Sequence, residues 1–183
     1  MVYISGGNEL LDPTAILARL GVKRGSRLAD LGCGGAGHFI IPAAQLVGDS
    51  TIVYAVDIMK SVLRSVTSKA TIEGVNNIKP VWSNLEVLNA TKIPGQSLDF
   101  SLLINILFQS KDDESIIREA VRLLKPGGKL LIIDWNNVPT TIGPGVEDRI
   151  TPAEIKTIAK KLNLNLIDEF DAGNYHFGLI FTK

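Results

Sequence analysis

Cysteine is almost absent: Cys33 stands alone among 183 residues. A lone thiol cannot close an internal disulfide, so nothing here points to an oxidising compartment. Net charge is absent too. Nineteen Lys and Arg balance nineteen Asp and Glu, with no basic run. No overall field therefore draws the chain to nucleic acid or to an anionic membrane. Long hydrophobic runs are missing, and the apolar stretches are strand-sized, well short of a membrane span. The N-terminus shows no basic region followed by an apolar one, so no signal peptide is read. Asn89-Ala90-Thr91 matches a glycosylation sequon, which without a secretory signal is taken as chance. The two histidines, His38 and His176, are far apart and in no ligand spacing, so no metal is expected. These absences leave a cytoplasmic globular domain.

Apolar residues make up 45% of the chain, enough for one core and a single domain over residues 1–183. Asp12-Pro13 opens a short helix that ends near Gly21, with Asp12 as N-cap. A strand follows at about Arg27 to Leu31, then a glycine-rich turn and a helix beginning near His38 or Phe39. Pro42 falls in the first turn of that helix, where N–H groups have no intrahelical partner. Thr51 to Val56 is β-branched and apolar, as a buried parallel strand is. Met59 to Glu73 reads as a helix, Ile78 to Trp82 as a strand and Asn84 to Gln96 as a loop.

Leu98 opens a core strand. Asp112 to Leu124 is an amphipathic helix with Ile116, Ile117, Ala120, Val121 and Leu124 on one face. Lys125-Pro126-Gly127-Gly128 reads as a turn and Lys129 to Trp135 as a buried strand. A Gly- and Pro-rich loop, Asn136 to Arg149, precedes a capping box at Thr151 to Glu154 that starts the last helix. Two strands, at about Asn165 to Phe170 and Tyr175 to Thr182, then form an antiparallel hairpin through Asp171 to Asn174. The alternation predicts an α/β fold: a Rossmann-like, doubly wound, mostly parallel seven-stranded sheet closed by that hairpin.

Chemistry concentrates in Leu28 to Phe39, LADLGCGGAGHF. Gly32, Gly34 and Gly37 satisfy G-x-G-x-x-G between a strand and a helix, and Asp57 follows twenty residues beyond Gly37. Glycine lets the backbone approach a ligand closely. An acid at the end of the second strand is placed to accept from both ribose hydroxyls. The pattern alone leaves a dinucleotide or another adenosine-containing ligand open. Asp30, just before the glycines, would crowd a pyrophosphate with negative charge and suits a cationic ligand. The chain also has no room for a nicotinamide-side half of the fold.

On these residues the chain resembles the class I S-adenosylmethionine-dependent methyltransferases, from about Pro13 to Lys183. DLGCG (Asp30 to Gly34) is similar to their first motif and VYAVDIMKSVL (Val53 to Leu63) to the second. SLDFSLLINILFQS (Ser97 to Ser110) resembles the fourth-strand motif and LLKPGGKLLIID (Leu123 to Asp134) the fifth. The resemblance implies S-adenosylmethionine as methyl donor, with S-adenosylhomocysteine as product. It implies Asp30, Gly32, Cys33, Gly34 and Gly37 around the methionyl part and Asp57 on the ribose. Ile58 and Met59 would pack on adenine, Asn84 and Leu85 would close its edge, and Asn105 would stand near the reactive methyl. Two departures stand out: Ala36 where a third glycine is common, and Asn84 where an adenine-binding acid is expected.

Asn105, Asp134 and His176 are the candidates on the acceptor side. His176 reads more readily as a structural histidine in a hairpin. The single cysteine weighs against a thiol-bound metalloid acceptor. The expected acceptor is a small molecule of the kind quinone C- or O-methylating enzymes use, and the neutral charge weighs against RNA. Residues 1–22 offer a minimal lid, so either the loop Asn136 to Arg149 closes the site, or a second subunit in a homodimer does, or the substrate is large. Two readings from other classes stay open: a non-catalytic S-adenosylmethionine-binding partner subunit and a nicotinamide-dependent oxidoreductase.

Overall fold

The computed structural model describes residues 10–183; residues 1–9 of the expected lid lie outside the described residues. A first helix, α1 (Pro13–Leu20), precedes β1 (Leu28–Leu31), α2 (Ile40–Val47), β2 (Val53–Asp57), α3 (Lys60–Ile72) and β3 (Ile78–Trp82). Then come β4 (Leu98–Ile104), α4 (Asp113–Leu123), β5 (Leu124–Trp135), α5 (Pro152–Lys161), β6 (Asn165–Gly173) and β7 (His176–Thr182). The strands form one seven-stranded sheet in the order β3-β2-β1-β4-β5-β7-β6. The pairs from β3 through β5 are parallel, and β7 pairs antiparallel with both β5 and β6. The doubly wound sheet with a C-terminal antiparallel hairpin is thus the architecture that the alternation predicts.

Side chains alternate across the pleat, so each central strand feeds two cores. Phe100 and Leu102 of β4 and Leu131 and Ile133 of β5 join Leu17 of α1, Ile40 of α2 and Val66 of α3. Leu103 of β4 and Leu130 and Ile132 of β5 join Ile117 of α4 and Ile155 of α5 on the other face. Burial on both faces explains why these strands read as continuous apolar runs. β3 is an edge strand, and that position tolerates Pro80, which has no N–H to donate.

Local chemistry sets most boundaries. Asp12 caps α1 by accepting from Thr14 N and Ala15 N. The capping box of Thr151 and Glu154 starts α5. α2 begins at Ile40, so Pro42 lies in its first turn and no helical hydrogen bond is lost. Two expectations need correction. Lys125 to Gly128 is part of β5 rather than a free turn, entered through a register shift between Leu98 and Phe100 of β4. The last residue of the chain holds it: Gly127 N donates to Lys183 O and Lys183 N to Gly128 O. The final hairpin turns at Asn174 and Tyr175, because β6 continues to Gly173. β4 stops at Ile104, because Asn105 adopts a positive φ of 53°.

Candidate active site

β1 pairs with β2 on one side and with β4 on the other, so strand order reverses between β1 and β4. The chain leaving β1 and the chain leaving β4 diverge there and open a crevice beyond the carboxyl ends of the strands. A cavity of about 610 Å³ fills it, within the range of small-molecule sites. Asp30, Gly32, Cys33 and Gly34 line it from the first turn, and Asp57, Ile58 and Met59 from the end of β2. Asn84 and Leu85 line it from the loop after β3, and Asn105 from the end of β4. Four chain segments distant in sequence therefore meet at the expected residues.

The glycine turn is stapled to β2, with Gly32 N and Cys33 N both donating to Val56 O. Gly32 has φ +85°, and a Cβ there would collide with the end of the Ile106 side chain, itself part of the cavity wall. Gly37 is not in the lining. A Cβ on it would stand 2.8 Å from both Ile41 and Val66, so its absent side chain lets α2 and α3 close beneath the turn.

Among the described residues, three carboxyl groups, Asp30, Asp57 and Glu86, line the cavity, and no Lys or Arg does. Asp30 is 3% exposed. Burial, then the charge of Asp57, pushes its carboxyl up to about 7. Asp57 Oδ1 accepts from Met59 N at 2.8 Å, while its Oδ2 has no described partner. Ile58 and Met59 are 55% and 56% exposed at the rim, an apolar shelf that a flat ring could cover. Burial and the nearby Asp30 raise the Cys33 thiol, so it stays protonated and is no nucleophile. Asn84 Oδ1 accepts from Glu86 N at 3.0 Å in a local turn. Asn105 N donates to Ile133 O at 2.8 Å, while its buried Oδ1 has no described partner.

Asp134 and His176 are not brought to this cavity. Asp134 is fully buried and accepts from Leu107 N and Trp135 N. Burial still pushes its carboxyl up to about 6, and its visible role is to pin the turn after β4. His176 is fully buried against Trp135, with ring centroids 4.3 Å apart. Burial, then the charge of Arg149, pushes it down to about 4, so it is neutral. The loop Asn136 to Arg149 also stays away from the cavity wall. Arg149 gathers it by donating to Asn136 O, Val138 O and Pro144 O. Of the expected lid, Leu11 reaches the cavity while α1 packs on the core beside α2.

Sequence reasoning missed several wall residues. His38 and Phe39 follow the glycine turn directly and line the cavity with Leu11. Adjacency to Gly37 was the available signal for both. Glu86 ties the loop after β3 to the loop after β4 by accepting from Lys111 N and the Ser110 hydroxyl. Among the described residues no group of His, Cys, Asp and Glu could hold a metal. No described helix is long and apolar enough to cross a membrane.

The profile of a family described as a methyltransferase domain matches residues 22–170. A ubiquinone/menaquinone biosynthesis C-methyltransferase, UbiE, of Marinomonas sp. (strain MWYL1) is 30% identical over 85% of this chain. Its counterpart from Yersinia enterocolitica is 34% identical over 63% of the chain. The chain spans 62% and 45% of the length of these two relatives. A crystal structure of an Aquifex aeolicus SAM-dependent methyltransferase superposes with a TM-score of 0.87 at 24% identity, covering 97% of this chain and 92% of that one. The family profile covers most of the chain, and the crevice at the switch point lies where such a fold places its ligand, so this chain belongs to the methyltransferase domain family.

Proposed function

We propose that this chain moves the methyl group of S-adenosylmethionine to a small, largely apolar acceptor bearing a hydroquinone-type ring. The observation that carries the proposal is the charge of the cavity: among the described residues, three carboxyl groups line it, and no Lys or Arg does. Such a wall repels a pyrophosphate or a nucleic-acid backbone and attracts the ammonium and sulfonium of the donor. Asp30 would meet the ammonium and Asp57 Oδ2 the ribose hydroxyls. Ile58 and Met59 would cover adenine, with Asn84 and Leu85 at its edge. The unpartnered Asn105 Oδ1 would stand over the sulfonium end, and Gly32, Cys33, Gly34 and Gly37 would shape the turn.

Apolar walls at Leu11, Phe39, Ile104 and Ile106 support an acceptor without much charge. The names of the UbiE relatives support a quinone-type ring. Methyl transfer from a sulfonium needs close, in-line placement of donor and nucleophile, and such positioning can supply ~7–11 kcal/mol of barrier reduction. The sulfonium charge disperses as the methyl leaves, so an apolar surrounding favours the transition state over the ground state.

Calorimetry with S-adenosylmethionine and with NADH tests the donor. We expect binding of the first and none of the second. Asp57→Ala should raise the donor Kd about 100-fold, the worth of two hydrogen bonds to a charged group. An unchanged Kd in that variant would sink the assignment.

A further inference from the structure

We propose that His38 is the base that takes the proton of the acceptor hydroxyl. The proposal rests on the methyl-transfer reading above and deepens it. In that reading, Asp57, Ile58, Met59, Asn84 and Leu85 hold the nucleoside end of the cavity. The acceptor is then left the rest of the lining, which includes Leu11, His38, Phe39 and Ile106.

The backbone fixes the state of the His38 ring. His38 Nε2 lies 2.9 Å from Leu11 O. A carbonyl oxygen only accepts, so Nε2 carries the hydrogen and the neutral ring keeps its lone pair on Nδ1. No described residue donates to Nδ1. Phe39 meets the ring edge-on, at 5.2 Å between centroids and 89° between planes, which restrains its tilt. The arrangement is the one a second group imposes when it selects a histidine tautomer.

Other ionisable groups on the wall are committed elsewhere. Asp57 accepts from Met59 N and Glu86 from Lys111 N. Asp30 is buried under the glycine turn at the donor's ammonium. The Cys33 thiol is held protonated, and Asn105 offers an amide, which is no base. His38 is the wall residue with a basic lone pair and no described donor to it.

The hydroxyl proton of the acceptor passes to His38 Nδ1, and the oxygen's electron pair moves into the ring. The adjacent ring carbon forms a bond to the methyl carbon, and the C–S bond breaks with its electron pair left on sulfur. The ring carbon then releases its hydrogen to water as the imidazolium returns its proton to oxygen. The products are the methylated hydroquinone, S-adenosylhomocysteine and one proton.

The test uses the whole chain, S-adenosylmethionine and 1,4-naphthohydroquinone as the acceptor probe. His38→Gln keeps a side-chain N–H for Leu11 O but has no base. We expect its donor Kd to stay within about twofold of wild type and its kcat to fall about 10²–10⁴-fold. The wild-type kcat should rise with pH through one ionisation that the variant lacks, and the probe's dimethyl ether should be inert. Nitrogen-15 spectra should show His38 protonated on Nε2. A variant kcat within threefold of wild type, a retained pH profile, or a ring protonated on Nδ1 each overturns the role of His38. Wild type that binds donor but leaves naphthohydroquinone unmethylated overturns the phenolic acceptor and His38 with it. Wild type that binds no donor sinks the methyl-transfer reading itself.

Discussion

Asp30 sits under opposing demands. Burial and then the charge of Asp57 push its carboxyl up to about 7 from the ordinary aspartate value of 3.8. Between those two pH values the folded chain holds a proton that the unfolded chain has released. This group therefore favours the folded state most below about pH 4, and that contribution is lost as pH rises to about 7. Donor binding runs the opposite way, because an ammonium selects the ionised carboxylate. The donor Kd should fall roughly 20-fold between about pH 5.5 and about pH 7.5, then level off. Calorimetry across that range checks it, and Asp30→Asn should give a weak and flat profile. A pH-independent wild-type Kd would show that Asp30 stays ionised without the ligand. DLGCG marks Asp30 as a ligand-side acid in the sequence. The depth of its burial comes from its place between β2 and β4, opposite Ala55 and Leu102.

The loop between β3 and β4 brings Asn84, Leu85 and Glu86 to the cavity without any sheet ladder to hold it. Its anchor is Glu119 of α4, fully buried and accepting from Asn89 N at 2.9 Å and Thr91 N at 3.1 Å. Arg122 pairs with Glu119 at 2.8 Å and donates to Thr91 O at 3.0 Å. Burial pushes the Glu119 carboxyl up, but the hydrogen bonds from Arg122, Asn89 and Thr91 outweigh it and hold it at about 2. Its stabilisation is therefore complete above the ordinary glutamate value of 4.5 and is lost as pH falls toward about 2. Glu119→Ala strands two backbone N–H groups and a mostly buried guanidinium. Urea denaturation at neutral pH should register a loss of about 3 kcal/mol. A loss below about 1 kcal/mol would mean that the loop holds its place without the clamp. In the sequence Glu119 reads as one more charge on an amphipathic helix, because its partners lie about 30 residues upstream in a loop.

At the scale of the whole molecule, the cavity exists only because the sheet reverses order between β1 and β4. A ligand bound there bridges both halves of the sheet and must stabilise them together. S-adenosylhomocysteine at 100 times its Kd should add about 2.7 kcal/mol to the unfolding free energy. For a chain of this size that raises Tm by roughly 5–10 °C. NADH at the same concentration should leave Tm unmoved. A shift with NADH and none with S-adenosylhomocysteine would transfer the site to a dinucleotide.

The element order, the glycine turn, the Asp57 position and the α5 capping box were legible in residue order, because each depends on neighbours a few positions away. Hydrophobic period, proline and capping chemistry act within that range. The same range explains the misreadings. Gly127 and Gly128 look like a free turn until the chain's last residue, Lys183, pairs with them. Asp134 and His176 stand at strand ends on the expected side, yet packing buries both away from the cavity. Leu11 meets His38 across 27 positions, and Glu119 meets Thr91 across 28. Such meetings follow from how helices settle on the two faces of the sheet. That is decided by the burial of many side chains at once, and no short stretch of residues encodes it.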